Sequence, residues 1–272
     1  MKTGALLLAL IVTPHSPEAD HRAGSTDEIR RGADLRDAPT GTAPPIEPLD
    51  VSGLEGFPKA PAGGGWRKTK SSLLLFGAAG DLINEIGLGE WTEDMGEGLK
   101  ARRVMRGGAS ENGRFAWHWQ KVETVRPGRS EILLGSTMTL VYLGTSGQTL
   151  WNNDRADTPE DLEPLYQSRL GETAVTVERS TYGWTISAYA FTGNVLASFH
   201  TGPRLLDAAL TRNGRFITAL YSGVDTALIY TFYDLKTHAR KDIPADKTQM
   251  GRAFVQDDGT VLSGKKTIHR FP

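Results

Sequence analysis

The sequence predicts an all-β protein built from repeated hairpin units. Residues 110–115 read Ser-Glu-Asn-Gly-Arg-Phe, and residues 211–216 repeat the phrase as Thr-Arg-Asn-Gly-Arg-Phe. Asn-Gly is a hairpin-turn dipeptide because both residues tolerate positive φ, and each copy leads directly into an apolar, β-rich run. The 31 glycines and 14 prolines among 272 residues are also typical of a turn-rich β protein.

Four segments share one pattern, in which an extended apolar run, a turn of small residues and a second apolar run follow each other. Their turns lie at Gly80, Gly147, Gly193 and Thr237. Another pair of predicted strands precedes each of the last three hairpins. Each unit therefore contains about four strands in roughly 45 residues, which indicates stacked antiparallel sheets.

These units resemble the blades of the β-propeller repeat families, of the WD-like and quinoprotein-like kind. The resemblance rests on the two copies of the phrase and on residues 147–151 (Gly-Gln-Thr-Leu-Trp), and it covers residues 66–272. It implies a β-propeller-like domain of four to five blades, and it implies no particular activity because propellers carry many unrelated functions. No unit ends in Trp-Asp and no Gly-His pair opens one, so no specific family is indicated.

The ends of the domain and two interruptions complete the predicted architecture. Residues 66–87 look like the second half of a blade and residues 251–271 like the first half, so their pairing would close a ring and hide the edge strands. An unclosed set of sheets, or a ring completed by another chain, are the alternatives. The charge-rich residues 88–108 are predicted to form a surface excursion. Residues 156–169 are predicted to form a short helix with Thr158 as its N-cap.

The N-terminal region is predicted to lie outside the folded domain. Lys2 precedes an apolar core at residues 5–12, which suits a signal peptide over residues 1–19 and is too short to span a bilayer. Residues 20–65 are rich in proline and glycine without an apolar period, which predicts a disordered linker. We therefore expect a secreted or periplasmic protein without a transmembrane anchor in the mature chain, with an uncleaved N-terminus as the alternative.

The charge balance and the absence of cysteine exclude several classes of function. The formal net charge is -1, whereas a nucleic-acid-binding protein usually needs a basic face. Without cysteine, the chain has no disulfides, thiolate metal sites, cysteine nucleophiles or lipoprotein anchor. The six histidines show no metal-ligand spacing, and neither a serine-hydrolase elbow nor a phosphate-binding loop is present.

Five residues are candidate binding residues. Trp117 and Trp119 share one face of a predicted strand, where two indoles could form a platform for a sugar or a peptide, and His118 faces the other side. The alternative is that both tryptophans pack between blades. Asp154 and Asp157 belong to an oxygen-rich stretch that could hold calcium, although it lacks the glycine and the spacing of an EF-hand loop.

These observations predict a non-catalytic binding or scaffolding protein that contacts a protein or glycan partner at the cell envelope. Its loops and residues 88–108 would present the contact surface, and no cofactor or metal is expected apart from possible calcium. The alternative is a propeller enzyme, similar to a hydrolase or lactonase, with carboxylates and histidine gathered at the channel mouth. Convergence of His118, His200, His238, Asp154 and Asp225 would support that alternative.

Overall fold

The computed structural model of the chain describes residues 61–128, 130–159, 161–223, 225, 227–247 and 253–272. The described residues form 19 strands in five antiparallel sheets, and a 3₁₀ turn at Ala245–Lys247 is their only helical element. The predicted all-β, propeller-like fold class is therefore confirmed. The predicted signal peptide and the linker up to residue 60 lie outside the described residues.

The first two sheets come from the N-terminal half of the domain. The first sheet contains three strands: β1 (Gly65–Lys68), β2 (Ser72–Phe76) and β3 (Leu82–Gly87). The second contains five: β4 (Gly89–Gly96), β5 (Leu99–Ala109), β6 (Ala116–Arg126), β7 (Ile132–Leu143) and β8 (Thr149–Asn153). In both sheets, neighbours in the chain are neighbours in the sheet.

The remaining three sheets follow the same meander. The third contains β9 (Leu165–Gln167), β10 (Thr173–Ser180), β11 (Gly183–Ala190) and β12 (Val195–His200). The fourth contains β13 (Arg204–Leu210), β14 (Phe216–Ser222), β15 (Leu228–Asp234) and β16 (Arg240–Pro244). The fifth contains β17 (Phe254–Val255), β18 (Thr260–Ser263) and β19 (Lys266–Arg270).

The repeated phrase forms the same tight turn in both copies. The Gly113 N–H donates to the Ser110 carbonyl at 2.9 Å, and the Gly214 N–H donates to the Thr211 carbonyl at 2.9 Å. Gly113 and Gly214 have φ values of 69° and 75°, a left-handed conformation that glycine adopts without steric cost. The phrase therefore fixes the hairpin register at equivalent places in the second and fourth sheets.

Hydrophobic clusters join the sheets in chain order. Trp66, Leu73 and Leu143 belong to a cluster between the first and second sheets, and the Trp66 indole N–H donates to the Gly144 carbonyl at 2.8 Å. Three further clusters join the second sheet to the third, the third to the fourth, and the fourth to the fifth. Burial of apolar side chains between neighbouring sheets is the main stabilising contribution in such a stack.

The predicted pairing of two half-blades is wrong for the described strands. β1–β3 and β17–β19 form two separate sheets, and no hydrogen-bonded pair among the described residues joins them. The tight turn that precedes β1, in which Gly64 N–H donates to Pro61 O, corresponds to the β5–β6, β9–β10, β13–β14 and β17–β18 turns of the later sheets. β1 therefore takes the second strand position, so both terminal sheets already contain the two central strands and cannot be halves of one blade.

The two predicted interruptions also differ from the structure. Residues 88–108 form β4 and most of β5, which are strands of the second sheet. Their charged side chains lie on a strand pair of which β4 is exposed and β5 is mostly half-buried. Residues 156–169 form no helix in their described part and end in β9. The Thr158 hydroxyl donates to the carbonyls of Pro159 and Leu162 instead of accepting an N–H as an N-cap does.

Candidate functional site

The two predicted platform tryptophans are part of the core. Trp117 and Trp119 are 6% and 3% exposed and pack in the cluster between the second and third sheets. The Trp119 indole N–H donates to the Ala156 carbonyl at 2.7 Å, so its polar atom is also satisfied inside the protein. This is the packing arrangement that the sequence left open, and neither ring face is available to a ligand from solvent.

His118 lies on the opposite face of β6, as the strand alternation predicts. It pairs directly with Val141, which packs against the cluster between the first and second sheets. Its Nδ1 atom is buried and has no hydrogen-bond partner among the described residues. Burial disfavours the charged imidazolium and lowers the pKa of His118 to about 4, so the ring is neutral at pH 7.

We predict that protonation of His118 destabilises the fold in acid. Its folded pKa lies below the unfolded value of 6.5, so the folded state binds the proton less well and stability falls as the pH drops from 6.5 towards 4. The full penalty is roughly 3 kcal/mol. Urea unfolding at a series of pH values should show this loss in the wild type and a flatter profile in His118→Leu. Parallel profiles would contradict the assignment.

The predicted aspartates belong to the turn after β8. Asp154 is exposed, whereas the Asp157 carboxylate accepts the Thr158 N–H at 2.8 Å. The neighbouring Asn153 side chain donates to Glu178 at 2.7 Å and accepts the Arg155 N–H, which links this turn to the third sheet. Within the described ranges, no group of three or more His, Asp or Glu side chains is arranged to hold a metal ion. Calcium binding here stays a prediction.

The candidate catalytic residues lie on different elements of the fold. His200 on β12 bonds Thr185 at 2.9 Å, and His238 in the turn after β15 bonds Tyr233 at 3.2 Å. Asp225 lies in the β14–β15 connection, which is at the opposite end of the fourth sheet from His238. His118 lies on β6, and Asp154 lies in the turn after β8. The described hydrogen bonds therefore do not gather this set into one site.

The β5–β6, β9–β10 and β13–β14 turns, in three consecutive sheets, are joined to one another. The Glu111 carboxylate accepts from Arg169 at 2.6 Å and from Arg212 at 2.5 Å, across three sheets. The main chain follows the same path, because Glu111 N–H donates to Arg169 O and Arg169 N–H donates to Arg212 O. Asn213 continues it by donating to the Asp257 carbonyl at 2.7 Å. The hydrogen bonds from both arginines lower the pKa of Glu111.

A shallow cavity of about 230 Å³ lies beside these turns and is lined in part by Arg169, Arg212 and Asp257. Its two arginines are the ones that bond Glu111. The lining therefore combines backbone turns with side chains of both charges. We assign these turns to the joining of sheets.

The second sheet carries the most prominent surface feature. Its three central strands, β5 to β7, have 11 or 12 residues and are longer than any described strand of the other sheets. β4 and β8 lie at opposite edges and opposite ends of the sheet. β4 pairs only with residues 99–105 of β5, and β8 pairs only with residues 140–143 of β7. The part without β8 is a four-stranded extension formed by residues 89–96, 99–105, 120–126 and 132–139, which we call the arm.

One edge of the arm is apolar and exposed. Residues 132–139 of β7 have β6 on one side and no described strand on the other; we call this segment the free edge. Ile132, Leu133 and Leu134 are 55%, 58% and 48% exposed, and every residue from 132 to 137 is exposed. Because successive side chains point to opposite faces, both faces of this strand are open to solvent.

Ion pairs cover much of the remaining arm surface. Arg103 bonds Glu93 at 2.8 Å, and Lys121 bonds Glu123 at 2.6 Å. Hydrogen bonds from the Trp91 indole and from Arg103 lower the pKa of Glu93. This surface carries positive and negative side chains in alternation, so its electrostatic potential is not of one sign. The free edge, in contrast, carries no charged side chain.

Among known proteins, the chain is similar to solved structures only. No protein-family model and no curated protein matches the chain. A Bacteroides fragilis protein designated a 6-phosphogluconolactonase is 11% identical with a TM-score of 0.32, and the match covers 63% of each chain. The Dos1 propeller is 10% identical with a TM-score of 0.35, over 70% of this chain and 60% of its own.

A third similar structure is the hydrazine synthase of Kuenenia stuttgartiensis, which is 12% identical with a TM-score of 0.33, over 71% of this chain and 69% of its own. The chain thus spans less than two thirds of the length of the first two structures. Among the described residues, no helix has the length and apolar character needed to cross a membrane.

Proposed function

We propose that this protein is a non-catalytic binding or scaffolding module that contacts another protein through the arm. The observation that carries the proposal is the free edge, where three consecutive aliphatic side chains are about half exposed. An apolar strand that is open at its edge and on both faces is a site for strand addition or association. Export to the cell envelope, based on the pattern of residues 1–19, belongs to the same proposal.

The chemistry of the arm favours a protein partner over a glycan. A free strand edge offers a row of backbone donors and acceptors, and the alternating side chains beside it provide specificity. Sugars are bound by exposed aromatic faces, and the predicted pair, Trp117 and Trp119, is buried in the core. Among the described residues of the arm, Trp91 is the one aromatic side chain; it is 36% exposed, and its indole N–H is bonded to Glu93. The hydrolase or lactonase alternative draws on histidines and aspartates that the described contacts leave in separate places.

Affinity capture with the full chain as bait tests the proposal. The bait is incubated with an extract of the cells that produce the protein, to which a second copy of the chain with a different tag has been added. The wild type should retain one or more proteins that Leu133→Lys loses, because a lysine on the free edge costs desolvation in a paired strand. Val195→Lys is the matched control: Val195 is 60% exposed on β12, the outer strand of another sheet. Equal retention by all three baits would contradict the proposal.

A further inference from the structure

We infer that the free edge pairs with the free edge of a second copy of this chain, so that two arms form one continuous antiparallel sheet across a two-fold axis. The inference rests on the proposed function and deepens it, because it names the partner and its mode of binding. It follows from the length, the charge and the exposure of residues 132–139.

The space beside β7 has a defined length. β8 ends with Asn153 opposite Leu140, and the chain then turns away. Beyond this point, residues 132–139 leave one side of β7 open over eight residues. The same segment of a second copy, running antiparallel and pairing over seven of these residues, has the length that fills this space. In that arrangement, β7 of the second copy lies end to end with β8 of the first copy, on the same side of the first copy's β7.

The sequence of the free edge is compatible with pairing to itself. Residues 132–139 read Ile-Leu-Leu-Gly-Ser-Thr-Met-Thr and contain no charged side chain, so antiparallel self-pairing places no like charges opposite each other. Glu131 precedes this segment and bonds Arg102 at 2.5 Å. A two-fold axis perpendicular to the sheet places one residue directly opposite its own copy, so seven residues pair around either Gly135 or Ser136. The Glu131 side chains of the two copies then lie at opposite ends of the paired segment.

The other edge of the arm is protected against pairing. β4 carries three acidic residues, Glu90, Glu93 and Asp94, and charged side chains are a common device that keeps edge strands apart. Pairing of β7 with β4 of a second copy would be head-to-tail and could continue as a filament, whereas pairing of β7 with β7 closes after two copies. One protected edge and one apolar edge therefore favour a closed dimer.

Single-cysteine variants of the full chain test this inference, because the wild type has no cysteine. Gly135→Cys and Ser136→Cys lie at the centre of the free edge, where a two-fold axis would bring the two copies together. Under mild oxidation, at least one of them should form a disulfide-linked dimer as its major species. Thr181→Cys, which is exposed in the β10–β11 turn, is the matched control and should give background only.

Sedimentation velocity provides the second measurement. The wild type should sediment with the mass of two chains, and Leu133→Lys and Thr137→Lys should each reduce it to one chain while keeping the wild-type circular dichroism spectrum. A monomeric wild type, or a dimer that neither central cysteine traps, would overturn the inference. If the wild type is monomeric but still captures another protein through the arm, the dimer inference is wrong and the proposed function stands. If the wild type is monomeric and captures no protein through the arm, both are wrong.

Discussion

Replacing Asp234 with Asn should cost about 3 kcal/mol of the free energy of unfolding at pH 7, because it breaks a buried ion pair. The Asp234 side chain is 0% exposed and bonds the Arg215 guanidinium through both oxygens, at 2.9 and 2.6 Å. It also accepts the Lys236 N–H and the Thr237 hydroxyl. An amide lacks the charge and one of the acceptors that these donors need. Urea unfolding measures the difference.

The same variant should change the acid dependence of stability. Burial alone would raise the pKa of Asp234, but the hydrogen bonds from Arg215, Lys236 and Thr237 outweigh it and lower this pKa from 3.8 to about 2. The depressed pKa contributes about 2 kcal/mol of stability above pH 4, and this contribution is lost as the pH falls towards 2. The difference between wild type and Asp234→Asn should therefore shrink over that range.

Glu131→Gln is the matched control for Asp234→Asn. Glu131 also bonds an arginine, Arg102, but their side chains are 38% and 50% exposed. Exposed ion pairs contribute little, so this variant should stay within about 0.5 kcal/mol of the wild type. Equal losses in the two variants would show that burial of the Arg215–Asp234 pair is not what stabilises the fourth sheet.

Replacing Trp119 with Ala should cost about 3–5 kcal/mol, because it removes a buried aromatic side chain between two sheets. The ring is 3% exposed, the Arg106 guanidinium lies 6.0 Å from its centroid, and its N–H bonds the Ala156 carbonyl. Trp119→Phe keeps most of the apolar contact and loses the hydrogen bond, so its cost should be about 1–2 kcal/mol. Both values come from chemical denaturation.

This experiment also separates the two roles that the sequence allows for the tryptophans. Tyr182 is 90% exposed in the β10–β11 turn, and Tyr182→Ala should change stability by less than about 0.5 kcal/mol. If Trp119→Ala behaved like Tyr182→Ala, the indole would be a surface platform. A large loss would assign it to the core.

The repeated turns made most of the fold predictable. Gly113 and Gly214 fix two hairpins by their φ values, and the apolar runs that follow them are buried between sheets. The strands β4 and β5 were not predicted as part of a sheet. Residues such as Glu93 and Arg103 pair between the exposed strand β4 and the mostly half-buried strand β5, where no continuous buried face imposes an apolar alternation.

The candidate site was less predictable than the fold. The alternation of Trp117, His118 and Trp119 correctly separates the two faces of β6, but burial depends on the sheets that pack on each face. The run from Ile132 to Leu134 is visible in the sequence and would suit a core strand equally well. The run is exposed because β8 ends before it reaches these residues. The position at which a neighbouring strand ends is not part of the local sequence pattern.

Hydrogen–deuterium exchange of the free edge, compared between dilute and concentrated protein, tests the central claim most directly. If two copies pair through residues 132–139, the peptides that cover this segment should exchange slowly in concentrated wild-type protein and rapidly in dilute protein. The same peptides should exchange rapidly at both concentrations in Leu133→Lys, while peptides from β10 and β14 stay unchanged. Rapid exchange of the segment in concentrated wild-type protein would contradict the claim.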